Sequence, residues 1–182
     1  MGASPRLFCV KKPRFHVVLV EPEIPPNTGN IGRLCVAAGA RLHLVKPLGF
    51  QIDDRTLARA GLDYWVHLDW RLWESFDELQ AAVSAEKPAE AAAAGEATAP
   101  PRFFYLTTKA TLPYWKQRFQ PGDYLVFGRE TRGLPESLLE ANRDRCLTIP
   151  MQPETRSLNL STSAGIVLYE AVRQISQPIN TC

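Results

Sequence analysis

Residues 15–45 read FHVVLVEPEIPPNTGNIGRLCVAAGARLHLV, and this stretch decides the fold. Phe15-His-Val-Val-Leu-Val20 is a nearly unbroken apolar run of strand length, as expected of a strand buried on both faces. A Pro-rich loop, Glu21 to Pro26, follows, then a segment from about Gly29 to Ala38 with helical character, closed by Gly39. Arg41 to Val45 is a second short strand, so the stretch is a βαβ unit. Asn27 or Thr28 fits the N-cap of the helix. Either choice places backbone N–H groups and a helix N-terminus at the carboxyl end of the first strand, where α/β proteins keep their ligands.

Downstream the alternation continues. Asp53 to Ala60, closed by Gly61, predicts a short helix leading to Tyr64-Trp65-Val66-His67, and Ser75-x-x-Glu78 predicts a capping box for a helix to about Val83. Phe103–Leu106, Tyr124–Phe127 and Cys146–Ile149 are three further apolar strands, with a helix at Pro135–Asn142 between the last two and a closing helix at Leu158–Ile175. The expected class is α/β, a mostly parallel sheet with helices on both faces. Residues 84–101 hold eight alanines, three prolines and three glutamates with no apolar periodicity beyond alanine, and so predict a solvated surface insert.

At 182 residues and 45% hydrophobic the chain supports one core, expected to form a single domain over 15–182 behind a basic extension, 1–14. The net charge is +2, but Arg6, Lys11, Lys12 and Arg14 lack acidic neighbours and leave the remainder with 17 basic against 19 acidic residues. Any polyanion site must therefore be local, and the extension is either a solubilising tail or a phosphate contact. The longest aliphatic run near the start, Val17 to Val20, falls far short of a membrane span, and residues 1–14 lack a signal peptide's apolar core, so a cytoplasmic protein without a membrane partner is expected. Cys9, Cys35, Cys146 and Cys182 show no C-x-x-C, and His16, His43 and His67 add no ligand spacing; neither disulfide nor metal is expected.

Three loops are too specialised for mere connection: Asn27-Thr-Gly-Asn-Ile-Gly-Arg33, Gly128-Arg-Glu-Thr-Arg-Gly-Leu-Pro135 and Pro150-Met-Gln-Pro-Glu-Thr-Arg-Ser-Leu-Asn-Leu-Ser161. The first lacks both the G-x-G-x-x-G spacing and a G-K-[ST] ending, which excludes those nucleotide fingerprints. Taken alone it is a capped helix start with Arg33 in the first turn, and Glu130 between Arg129 and Arg132 is a surface ion-pair cluster. Ser157 and Ser161 are not in a G-x-S-x-G elbow, and no histidine lies in a strand-end loop, which argues against a hydrolase.

Taken together and in this order, the loops resemble the three motifs of the SPOUT class of S-adenosylmethionine-dependent RNA methyltransferases, in its 2′-O-ribose branch: N-x-G-x-I-x-R, G-x-E-x-x-G and, at Ser157-Leu-Asn-Leu-Ser161, S-x-N-x-S. Glu21 to Asn30, Arg59 to Tyr64, Leu106-Thr-Thr-Lys109 and Gly122 to Gly128 closely resemble the minimal tRNA (cytidine/uridine-34) 2′-O-methyltransferases. The likeness spans about Phe15 to Gln174 and omits the basic extension and the Ala-rich insert.

The resemblance implies a deep trefoil knot in the C-terminal third of the SPOUT domain, a homodimer, and a tRNA anticodon loop as partner. It implies S-adenosylmethionine as cofactor, S-adenosylhomocysteine as product and no metal. Adenine would be held by backbone groups of the loops containing Leu106, Gly128, Ile149 and Ser157, with Leu106, Leu134, Ile149, Met151 and Leu158 as apolar walls. Asn27, Arg33, Glu130, Ser157 and Asn159 carry over as the functional polar set, and Arg33, Arg129, Arg132 and Arg156 as the RNA contacts. Arg33 is the family's proposed base, yet a guanidinium stays protonated, so its expected role is to position the 2′-hydroxyl and an adjacent phosphate from near a helix N-terminus. Two other readings stand beside a wobble-nucleotide enzyme: a relative acting on another tRNA position or on rRNA, and a cofactor-binding RNA module without turnover.

Overall fold

The computed structural model describes residues 14–51, 65–85 and 100–176. The helix expected at Asp53–Ala60 and nearly all of both the basic extension and the Ala-rich insert lie outside the described residues.

Strand β1 (His16–Val20) leads into helix α1 (Pro25–Ala38) and strand β2 (Arg41–Val45). Strand β3 (Trp70–Trp73) and helix α2 (Phe76–Ala85) follow, then β4 (Phe103–Leu106), β5 (Tyr124–Phe127), helix α3 (Glu136–Ala141), β6 (Cys146–Leu147) and helix α4 (Leu160–Ile175). All strands are parallel in one six-stranded sheet, ordered β3-β2-β1-β5-β4-β6. Alternate residues of β1 serve opposite faces, as the period of two requires. Val17 and Leu19 pack with Ile31 and Cys35 of α1 and Val167 and Leu168 of α4, whereas Val18 and Val20 pack with Leu79 of α2 and Leu139 of α3. Burial on both faces explains why the central strands are continuous apolar runs rather than alternating ones.

Several expectations need correction. Helix α1 begins at Pro25, not near Gly29, and its N-cap is Ile24, whose side chain makes no capping bond; neither Asn27 nor Thr28 is the cap. Pro25 and Pro26 fill the first helical positions because proline's fixed φ suits them and its missing N–H is not needed there. Gly39 ends the helix in the left-handed conformation, with φ 67°. Trp65–His67 is a short 3₁₀ turn, and the strand that follows it, β3, is an edge strand whose Arg71 and Leu72 are exposed. The third downstream strand stops at Leu147, and the last helix starts at Leu160. The Ser75 cap holds: its Oγ accepts from the Glu78 N–H at 3.1 Å, while Glu78 reaches back to the N–H of Glu74 at 2.7 Å.

On the α2 face of the sheet a polar aromatic group packs across β1, β2 and β3. Trp73 Nε1 donates to His43 Nδ1 at 3.0 Å. Because an indole only donates, His43 carries its proton on Nε2 and gives it to His16 Nδ1 at 2.9 Å. Burial, then the charges of His16, Arg41 and Arg71, pull the His43 pKa down to about 2, so it is neutral in the folded protein.

Candidate active site

The sheet order turns at β1, with β2 on one side and β5 on the other, so the loops leaving β1 and β5 diverge and open a crevice at their carboxyl ends. The loops after β4, β5 and β6 and the start of α4 complete a cleft of about 640 Å³, a volume typical of small-molecule sites. Sequence reading located the three loops; the structure brings parts of all three to this one cleft.

A hydrogen-bonded relay ties them. Asn159 caps α4, its Oδ1 accepting from the N–H groups of Ser161 at 2.9 Å and Thr162 at 3.3 Å. Its Nδ2 donates to Asn27 Oδ1 at 2.9 Å, and Asn27 Nδ2 donates in turn to Glu130 Oε1 at 3.0 Å. Glu130 also receives the backbone N–H of Glu23 at 2.9 Å and of Ile24 at 3.2 Å. A carboxylate from the β5 loop therefore does at α1 what no local side chain does: it satisfies N–H groups and faces the positive end of the helix dipole.

The β5 loop is itself folded tightly. Arg129 and Gly133 exchange backbone bonds of 3.2 and 2.9 Å, and Gly133 takes φ 70°. Gly128 is buried so closely beneath this turn that a Cβ there would overlap the backbone of Gly133 and Leu134. Thr131 adds a clasp on the β1 loop, donating from N at 3.1 Å and from Oγ1 at 2.8 Å to Glu23 Oε2. Arg129 is ion-paired with Glu21, and Lys109 with Glu136.

All seven expected cofactor-contact residues, Leu106, Gly128, Leu134, Ile149, Met151, Ser157 and Leu158, line the cleft. Phe127, Leu139 and Leu160 add to its apolar wall, and Thr107, Thr108, Lys109 and Ser163 add polar groups that pattern reading did not single out as site residues. Only the Leu106-Thr-Thr-Lys109 match hinted at the first three. The backbones of Ile149, Met151, Ser157 and Leu158 make no hydrogen bond among the described residues, which leaves their N–H and C=O groups available to a ligand. Asn27, Glu130, Ser157, Asn159, Arg129, Arg132 and Arg156 also line it.

Arg33 does not. It is exposed on α1, in line with Asn30 and Ala37 rather than on the buried side that carries Asn27. With the helix starting at Pro25, Arg33 also lies beyond the first turn, where the dipole has faded, so no nearby helix N-terminus acts on its guanidinium, contrary to expectation. Among the described residues there is no helix long and apolar enough to cross a membrane and no cluster of His, Cys, Asp or Glu arranged to hold a metal.

Residues 14–169 match the model of the SpoU rRNA methylase family. A tRNA (cytidine(34)-2′-O)-methyltransferase of Burkholderia ambifaria is 47% identical over 162 residues, 88% of this chain and 95% of the relative. A solved structure presented as insight into the 2-OH methylation of C/U34 on tRNA superposes with a TM-score of 0.75 at 43% identity, covering 88% of this chain and 95% of that one. The SpoU methyltransferase AviRb from Streptomyces viridochromogenes, in complex with the cofactor AdoMet, gives 0.73 at 26% identity, covering 91% of this chain and 62% of that one.

Proposed function

From the premise that the chain belongs to the SpoU rRNA methylase family, we propose that it is an S-adenosylmethionine-dependent enzyme that methylates the ribose 2′-hydroxyl of nucleotide 34 in tRNA. The observation that carries this is the relay Asn159–Asn27–Glu130, which joins the three motif loops around one cleft. The address on tRNA rests on the identity to the cytidine-34 relatives over most of both chains.

The cleft fits the cofactor. Its aliphatic walls, Leu106, Leu134, Ile149, Met151 and Leu158, suit the faces of a purine, and the open backbone groups between Ile149 and Leu158 suit its edge. When bound there, S-adenosylmethionine supplies the activated methyl group and leaves as S-adenosylhomocysteine. The protein's task is then to place a ribose oxygen in line with that methyl and exclude bulk water, while the 2′-hydroxyl proton passes to a phosphate oxygen or to a water.

Ser157 stands at the cleft with a hydroxyl that can hydrogen-bond a ribose hydroxyl, and Asn159, its oxygen already taken by the cap, has one Nδ2 proton left to offer. Glu130 holds the walls together, since its oxygens already receive three donors. Of the four arginines expected to touch RNA, Arg33, Arg132 and Arg156 form the RNA-contact set, with Arg33 orienting the 2′-hydroxyl through an adjacent phosphate, while Arg129 is paired with Glu21. Because Arg33 lies outside the cleft of its own chain, the working unit is read as a homodimer in which a second copy brings its Arg33 to this cleft. The knot around the C-terminal loops, the anticodon loop as the docked element and a cytoplasmic location belong to the same reading.

The test is transfer of labelled methyl from S-adenosylmethionine into total tRNA from a strain lacking the enzyme, followed by nucleoside mapping. Label on the 2′-oxygen of nucleotide 34 is the expected result. Label at another position overturns the address but keeps the chemistry, and cofactor binding without transfer to any RNA overturns both.

A further inference from the structure

Four cationic side chains, Lys109, Arg129, Arg132 and Arg156, line the cleft, and by sequence the three arginines are equivalent candidates for RNA contact. In the structure they are not. Arg129 is spent on Glu21, a half-buried pair at the root of the β1 loop, and Lys109 on Glu136. Arg132 and Arg156 are exposed and make no ion pair or hydrogen bond among the described residues.

Their backbones, by contrast, are well placed. Arg132 sits in the turn closed by the Arg129–Gly133 bonds, two residues after Glu130. Arg156 stands three residues before Asn159. Glu130 and Asn159 are the two ends of the relay through Asn27, so the two arginines flank one crosslink while their charges stay uncommitted. Two uncommitted guanidinium forks beside one crosslink suit phosphate oxygens, which a fork can grip bidentately.

Resting on the proposed reaction, we infer that Arg132 and Arg156 form a two-arginine clamp for the RNA phosphates beside the methylated ribose, and that Arg129 is a strut which holds the β1 loop and contributes no RNA charge. The clamp grips the sugar-phosphate backbone and reads no base, so base choice must come from elsewhere on the surface.

The discriminating observable is the salt dependence of tRNA binding, since each phosphate contact that releases a counterion adds roughly 0.7–0.9 to the slope of log K against log salt. Binding of tRNA is measured across a salt series in the presence of S-adenosylhomocysteine for the full-length wild type and for Arg132→Gln, Arg156→Gln and Arg129→Gln. Arg132→Gln and Arg156→Gln should each flatten the slope by about one contact and weaken tRNA binding several-fold, with melting temperature and cofactor affinity unchanged. Arg129→Gln should keep the slope and lower the melting temperature. The clamp is overturned by full wild-type slopes in both clamp variants, by a slope lost equally in Arg129→Gln, or by loss of cofactor affinity with tRNA affinity intact, which would assign these arginines to the cofactor's carboxylate. In each of those cases methyl transfer by the wild type survives. A wild type that neither binds nor methylates tRNA overturns the clamp together with the proposed function.

Discussion

Asn27 donates from Nδ2 to Oε1 of Glu130 at 3.0 Å, across 103 positions of sequence. The bond makes the first turn of α1 and the loop after β5 one piece, because the same carboxylate also takes the N–H groups of Glu23 and Ile24. Glu130 thus serves geometry, although a lone carboxylate in a methyl-transfer site invites assignment as the base.

Glu130→Gln keeps one acceptor oxygen and loses the charge at the helix end; it should fold, melt lower by about 1–2 kcal/mol of stability and turn over at least tenfold more slowly. The shape of its pH–rate profile should match the wild type. An acidic limb that disappears in the variant would instead assign the proton to Glu130.

Gly128→Ala should cost at least about 2 kcal/mol and abolish S-adenosylhomocysteine binding, since the overlapped atoms are backbone and cannot swing aside. Calorimetric titration and a thermal melt check the two losses together.

Asn159→Asp keeps a side-chain oxygen to cap α4 but cannot donate to Asn27, so it should melt near the wild type while transferring methyl slowly. Arg33→Ala should leave cofactor affinity intact and lose turnover, given its place outside the cleft. Co-expressed, the two variants should recover about a quarter of wild-type activity if Arg33 serves a second copy's cleft, because half of randomly mixed dimers then hold one complete site. No recovery would return Arg33 to its own chain.

Stability should fall with acid below pH 6.5. The folded pKa of His43 is about 2 against 6.5 for the free side chain, so between these values the unfolded chain binds a proton that the folded one refuses. The contribution is complete above pH 6.5 and declines by at most about 1.4 kcal/mol per pH unit as the pH drops toward the folded value. Denaturant melts of His43→Gln, which cannot titrate, should show a shallower decline than the wild type from pH 6.5 to 4.5.

The central strands were legible because burial on both faces writes them as apolar runs; β1, β2, β4 and β5 could be read this way. Strand β3 escaped because an edge strand need only be half apolar, and Trp-Arg-Leu-Trp carries no such run. The start of α1 escaped for a different reason. Pro25-Pro26 looks like loop, and the carboxylate that takes the N–H groups just before it, Glu130, is more than a hundred positions away. At the site, residue types and spacing marked the loops individually, and the resemblance joined them. Which arginines are already paired, and that Arg33 stands apart, are three-dimensional facts with no local signature.

The Asn159–Asn27 bond also sets a timetable. Asn27 is synthesised early, and the partner that completes its wall of the cleft follows 132 positions later. At about 5–20 residues per second a ribosome needs on the order of 10 s to supply it. During that interval the nascent chain can pair β1 with β2 but cannot enclose a cofactor, and a translation product that stops before residue 159 has neither Asn159 nor helix α4. Competence to modify RNA therefore arrives in a single late step, and an incomplete chain cannot compete with finished enzyme for cofactor.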